Sequence, residues 1–148
     1  MITQAPEETQ ALEEIGGRWQ ARRDHGRNQH HTGGRVKYAL MILVTDESRE
    51  AIRRDRAAHR AGVVRWMADQ FRAGTLISGE AFDIEAEKPA TVRRRGGTVE
   101  VTDGPFHDGP EELGGYLLVE VADRAAAVEL ATSWPNPDTI EVRAVRQP

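Results

Sequence analysis

From Lys37 onward the chain falls into short blocks of regular hydropathy. "KYALMILV" is a continuous apolar run of strand length, rich enough to be buried on both faces. Thr45, Asp46, Glu47 and Ser48 then supply capping side chains, and a long helical segment follows to about Ala73. Ile52, His59, Val63, Met67 and Phe71 fall near one stripe of it, with Trp66 beside them. Gly62 weakens the middle of that helix, where a bend is expected, and Gly74 ends it. "TLISGEAF" is a second strand. "PATVRRRGGTVEVTDG" predicts a hairpin whose two short strands flank Gly96-Gly97. "GYLLVEV" is the next strand, "DRAAAVELATSW" a helix with Asp123 as N-cap, and "TIEVRAV" the last strand. Pro135 and Pro137 stop the second helix.

The order is therefore β, α, β, a hairpin arm, β, α, β. This is the split βαβ arrangement of an α+β, ferredoxin-like fold, with one antiparallel sheet and both helices on the same face. The other face is the informative one. In the strand around 115–121, Leu117, Val119 and Val121 oppose Tyr116, Leu118 and Glu120. In the first strand, Tyr38, Leu40, Ile42 and Val44 oppose Ala39, Met41 and Leu43. Both sets are apolar, yet two helices cover only one. The alternation predicts a homodimer in which two sheets pack face to face.

Residues 1–35 differ in character. They form a polar extension in which only Leu12, Ile15 and Trp19 share helical spacing, enough for one short helix. "DHGRNQHHTGGR" reads as a linker. Its histidines (His25, His30 and His31) are Gly-bounded and lack the carboxylate spacing of a metal site, so a solvated tail is expected. The domain proper spans residues 36–148. Val36 is compatible with a GTG start codon behind the purine-rich codons of Gly33-Gly34, an expectation that N-terminal sequencing from the native host would test.

Composition narrows the function classes. The 148 residues contain no cysteine, which removes disulfides, thiol nucleophiles and thiolate metal sites. No apolar run approaches the roughly 20 residues of a membrane span, and no signal-peptide pattern opens the chain, so a cytoplasmic protein without membrane contact is expected. A formal net charge of −4 argues against nucleic acid as partner. The one basic run, Arg93-Arg94-Arg95, sits at the hairpin tip as a solvated feature. There is no phosphate-binding Gly loop, no G-x-S-x-G and, outside the tail, no paired-His metal motif. No cofactor or metal is expected. Acid–base chemistry by side chains on a bound organic molecule remains, or no chemistry.

"VKYALMIL", "AGTLISGEAF", "VTDGPF", "EELGGY", "WPNP" and "IEVRAV" follow one another here in the order and spacing of a known family. Over about residues 37–146 the chain resembles the YCII-related proteins, and its Asp103-Gly104-Pro105-Phe106 and Leu113-Gly114-Gly115-Tyr116 pair resembles the DGPF branch. The resemblance implies a dimeric α+β barrel in which two ferredoxin-like sheets enclose small-molecule pockets. Proteins of that architecture include cofactor-independent isomerases, lyases such as a dehydrochlorinase, and monooxygenases. Many DGPF proteins have no known activity, and some resemble partners of sigma factors. The better-understood members are thought to pair a His with an Asp. Those positions correspond to Val63 and Trp134 here, so the dyad is absent in its usual form, although His59 lies one turn before Val63.

Four residues are candidates for the chemistry. Asp103 either caps a tight turn through its side chain or orients a substrate at a pocket rim. Phe106 after it is expected to plug the core and to wall a pocket. His107 and His59 are each a proton shuttle or a packing residue, since imidazole exchanges protons near neutrality. Glu80, at a strand end among small residues, is an alternative base. Tyr38 and Tyr116 are expected to offer hydroxyls to the same cavity, and Arg143 to contact ligand or to pair with Glu141 at the dimer seam. The first reading is a dimeric, cofactor-free isomerase- or lyase-like protein acting on a small organic metabolite. The second is a non-catalytic ligand-binding or regulatory partner, for example of a sigma factor.

Overall fold

A computed structural model describes residues 10, 11, 13 and 34–148. The short helix expected around Leu12, Ile15 and Trp19, the His25–His31 linker and the authenticity of the extension lie outside the described residues. The elements that follow are β1 (Val36–Val44), α1 (Asp46–Arg54), α2 (Arg56–Arg72), β2 (Leu76–Ala81), β3 (Ala90–Arg95), β4 (Thr98–Asp103), β5 (Glu112–Val121), α3 (Arg124–Thr132) and β6 (Thr139–Ala144). Four strands make an antiparallel sheet in the order β2-β5-β1-β6, which is the ferredoxin-like order, and β3-β4 form a separate ribbon.

The helix-covered face is built from every second strand residue. Leu40, Ile42, Leu76, Leu117 and Val119 meet Trp66 and Phe71 in one buried cluster, with Met67, Leu130, Ala131 and Trp134 packed around it. Leu40, Leu76 and Val119 are fully buried. Each such side chain contributes about 1.5–3 kcal/mol through removal of apolar surface from water. Tyr38 shares this face with Leu40, because its register partner in β5 is Val119. Ala39, Met41, Leu43, Tyr116 and Leu118 lie on the opposite face, half-exposed.

The expected single helix is two. Asp55 interrupts it with non-helical backbone (φ −154°, ψ 87°), and its carboxylate accepts from Ala58 N–H at 3.0 Å, so it starts α2 as N-cap. The bend expected at Gly62 does not occur. Gly62 sits inside α2, and the space a methyl group would take is backed by Pro135. At the start of α1, Thr45 and Ser48 cap reciprocally, Ser48 N–H donating to Thr45 Oγ1 and Thr45 N–H to Ser48 Oγ. The same Thr45 hydroxyl donates to Pro137 O at 2.7 Å, which ties the α3–β6 loop to the top of β1.

Two glycine pairs set local geometry. Gly96 and Gly97 have φ of 52° and 80°, the left-handed pair that a two-residue hairpin turn needs. Gly79 and Gly115 permit close approach of β2 and β5. A Cβ on Gly79 would lie 2.7 Å from Leu117 Cδ2, and one on Gly115 would lie 2.5 Å from Glu80 O.

The ribbon is amphipathic and stands off the sheet. Val92 and Val101 face each other across it and are 63% and 65% exposed. Its base is fastened by Gly104 N–H to Pro89 O and by Thr91 Oγ1 to Gly104 O. This corrects the role expected for Asp103, whose carboxylate makes no hydrogen bond among the described residues and is exposed. Phe106 is corrected as well. It is 66% exposed and plugs no core, because the chain has already left the sheet on the ribbon when it reaches that position.

Candidate functional site

Between α1, α2 and the sheet, the small side chains of β2 and β5 leave a cavity of about 310 Å³. Ile42, Val44, Val63 and Met67 supply apolar walls, Gly79 and Gly115 the floor, and the α3–β6 loop closes it with Trp134, Asn136 and Asp138. His59 enters from the first turn of α2, immediately after the Asp55 break. Its Nε2 is buried without a protein partner, and so is Nδ2 of Asn136. Buried polar atoms are normally hydrogen-bonded, and two without a protein partner border this one cavity.

The loop is held from several sides. Trp134 Nε1 donates to Asp138 Oδ2 at 2.8 Å, and the Trp134 ring meets Trp66 edge-on at 5.1 Å between centroids. Trp66 Nε1 in turn donates to Ser133 Oγ at 2.8 Å. With Pro135 over Gly62 and Pro137 O on Thr45, these contacts anchor the loop on α2 and on the start of α1.

A family model for the YCII-related domain matches residues 37–147. The chain belongs to the YCII-related domain family. No curated protein matches it. Val63 and Trp134, the positions at which the family resemblance expects a His and an Asp, both line the cavity. His59 and Asp138 line it too, one helical turn before the first position and four residues after the second. This YCII-related protein thus places an imidazole and a carboxylate around the same space from displaced positions.

The remaining candidates are brought together only in part. His107 and Phe106, ring against ring at 4.6 Å, line a separate open groove of about 790 Å³ at the ribbon base, together with Phe82, Asp83 and Lys88. His107 Nδ1 lies 3.3 Å from Asp108 O. Glu80, exposed overall, and Tyr116, its register partner in β5, both line the His59 cavity as well, and Phe82 packs against Tyr116 at 6.2 Å. Arg143 is exposed and its Nε donates to Glu141, the pairing expected from their spacing. Tyr38 and Tyr116 do not share the cavity: Tyr116 borders it from β5, whereas Tyr38 packs with the core. Asp103 lines neither the cavity nor the groove. Of the sequence candidates, His59 alone enters the cavity with a buried polar atom. Asn136 and Asp138 were not singled out from the sequence; the signal was the Pro-flanked "WPNPD", which fixes two polar side chains on a stiff loop.

Among the described residues no group of three His, Cys, Asp or Glu side chains is arranged to hold a metal ion. No helix among them is long and apolar enough to cross a membrane.

Proposed function

We propose that this YCII-related protein is a homodimer that binds a small organic molecule in the His59 cavity and transfers a proton on it without a cofactor. The observation that carries the reading is His59 Nε2, buried without a protein partner in a cavity walled by apolar side chains and shared with Asn136 and Asp138. His59 in its basic form takes a proton from the carbon beside a ligand carbonyl, and the electron pair moves onto the carbonyl oxygen. The Asn136 amide N–H stabilises that oxygen as charge develops on it. Asp138, steadied by the Trp134 indole, favours the imidazolium formed in between. Return of the proton at another carbon is isomerisation; departure of a leaving group with the electron pair is elimination.

The test is exchange of the methyl protons of acetophenone for deuterium in D₂O, followed by NMR, with wild type and His59→Gln. Exchange that depends on His59, with acetophenone still bound by the variant, supports the reading. Equal exchange by both proteins refutes it.

The dimer is supported by the half-exposed apolar residues Met41, Leu43 and Leu118 on the face opposite the three helices. Light scattering should give twice the chain mass for wild type and the single mass for Leu118→Glu; a monomeric wild type would rule the dimer out.

A further inference from the structure

We infer that the His59 cavity selects an uncharged ligand bearing a carbonyl-type oxygen and discriminates against carboxylates of the same size. The inference rests on the cavity being the functional site, and it names the ligand class.

Three observations lead there. First, an amide NH₂ only donates, so the buried, unpartnered Nδ2 of Asn136 calls for an acceptor on the ligand. His59 Nε2 either donates to the same oxygen or accepts a proton from its neighbour, according to tautomer, so one carbonyl group and its adjacent carbon satisfy both side chains. Secondly, no Lys or Arg is among the described residues lining the cavity, whereas the acidic Asp138 and Glu80 both are. A bound anion would stand beside like charges between apolar walls, where water screens little and no permanently charged Lys or Arg answers it. The family of ligands that a basic pocket would welcome is therefore the one this pocket repels. Thirdly, about 310 Å³ is at the small end of ligand pockets, roughly 300–1,000 Å³, and Ile42, Val44, Val63 and Met67 match a compact apolar body.

Four probes share one skeleton and differ at one group: acetophenone (neutral acceptor), ethylbenzene (no acceptor), benzoate (anion) and benzylammonium (cation). Binding to the full chain is measured by calorimetry and by the Asn136 side-chain amide resonance in NMR. Acetophenone is expected to bind tightest, about tenfold or more over both ethylbenzene and benzoate, the size of one buried hydrogen bond. In Asn136→Leu, whose fold is checked by circular dichroism and thermal melting, the preference for acetophenone over ethylbenzene should collapse. Asn136→Gln, which keeps the donor, serves as the second variant and should retain part of it if Asn136→Leu fails to fold. Benzoate or benzylammonium binding as well as acetophenone, or no binding by any of the four, overturns the inference. Acetophenone preference without His59-dependent deuterium exchange leaves the ligand class standing and removes the proton-transfer reading, so the two fail separately.

Discussion

Replacing His59 by Leu should stabilise the fold while ending the proposed proton transfer. His59 Nε2 is buried among Ile52, Val63 and Met67 with no protein partner. An unmet buried polar atom costs about 1–3 kcal/mol, and an apolar side chain of similar volume removes that cost. Leu also has a slightly better helix propensity than His, worth a few tenths of a kcal/mol at this first-turn position. The expected gain is about 1–2 kcal/mol, read as a rise in the urea midpoint at unchanged m-value. For a chain of this length that is a rise of roughly 3–8 °C in Tm. Sites kept for function rather than for packing show this exchange of stability against activity. Urea unfolding by circular dichroism, alongside the deuterium-exchange assay, measures both halves. A loss of 1 kcal/mol or more would mean that His59 is a satisfied packing residue, and the reading of the cavity would fall with it.

Asp103→Asn should change stability by less than about 0.5 kcal/mol, because the exposed carboxylate holds no bond in the ribbon turn; a loss of 1–3 kcal/mol in urea unfolding would restore the turn-capping role. Gly115→Ala should cost about 2–3 kcal/mol or prevent folding, since its Cβ would meet Glu80 O at 2.5 Å and Ala81 Cα at 3.2 Å, and backbone cannot give way as a side-chain tip can. A thermal melt within 2 °C of wild type would refute that packing argument. Trp66→Phe should cost about 1–3 kcal/mol by leaving Ser133 Oγ without the indole donor and by weakening the ring contact with Trp134, and it should loosen the loop that carries Asn136 and Asp138. Hydrogen exchange across residues 133–138 would report the loosening, and unchanged protection there would contradict it.

What could be read in advance was set by local periodicity. "KYALMILV" and "GYLLVEV" alternate with two apolar faces, and the structure uses one against the helices. Gly96-Gly97 announced its hairpin because few other residues take the torsions it needs. The split of the first helix was hidden for the opposite reason. "RRDRAAHRAG" keeps a helical pattern through Asp55, and only the competition between capping and propagation decides that the chain breaks there. The face assigned to each tyrosine needed strand register, which alternation within one strand does not contain: Tyr38 pairs with Val119 and Tyr116 with Met41, so they part company. Phe106 shows the limit of reading apolar residues as core, since an apolar side chain on a ribbon beyond the sheet has nothing to enter.

The site itself was half legible, and the missing half is instructive. His59 could be named because it lies on the apolar stripe of a helix. Asn136 and Asp138 could not, because a loop has no period and its residues reach a cavity only through tertiary anchors, here Pro135 on Gly62, Pro137 on Thr45 and Trp134 on Trp66. Those anchors also explain how Val63 and Trp134, the positions at which the resemblance expects the dyad, can border the cavity without carrying it. A step of one helical turn returns a side chain to nearly the same face, so moving the imidazole from position 63 to His59 leaves it on the cavity. Moving the carboxylate from position 134 to Asp138 follows a loop that curls over the same opening, and Trp134, left behind, donates to that carboxylate. The glycines of β2 and β5 and the loop shape the space, and helix positions 59 and 63 both border it. It follows that His59→Val together with Val63→His, which returns the imidazole to the position the family resemblance expects, should keep a measurable share of deuterium exchange, whereas His59→Val alone should keep none; exchange absent from both would mean that the first turn of α2, and not the cavity as a whole, dictates where the imidazole works.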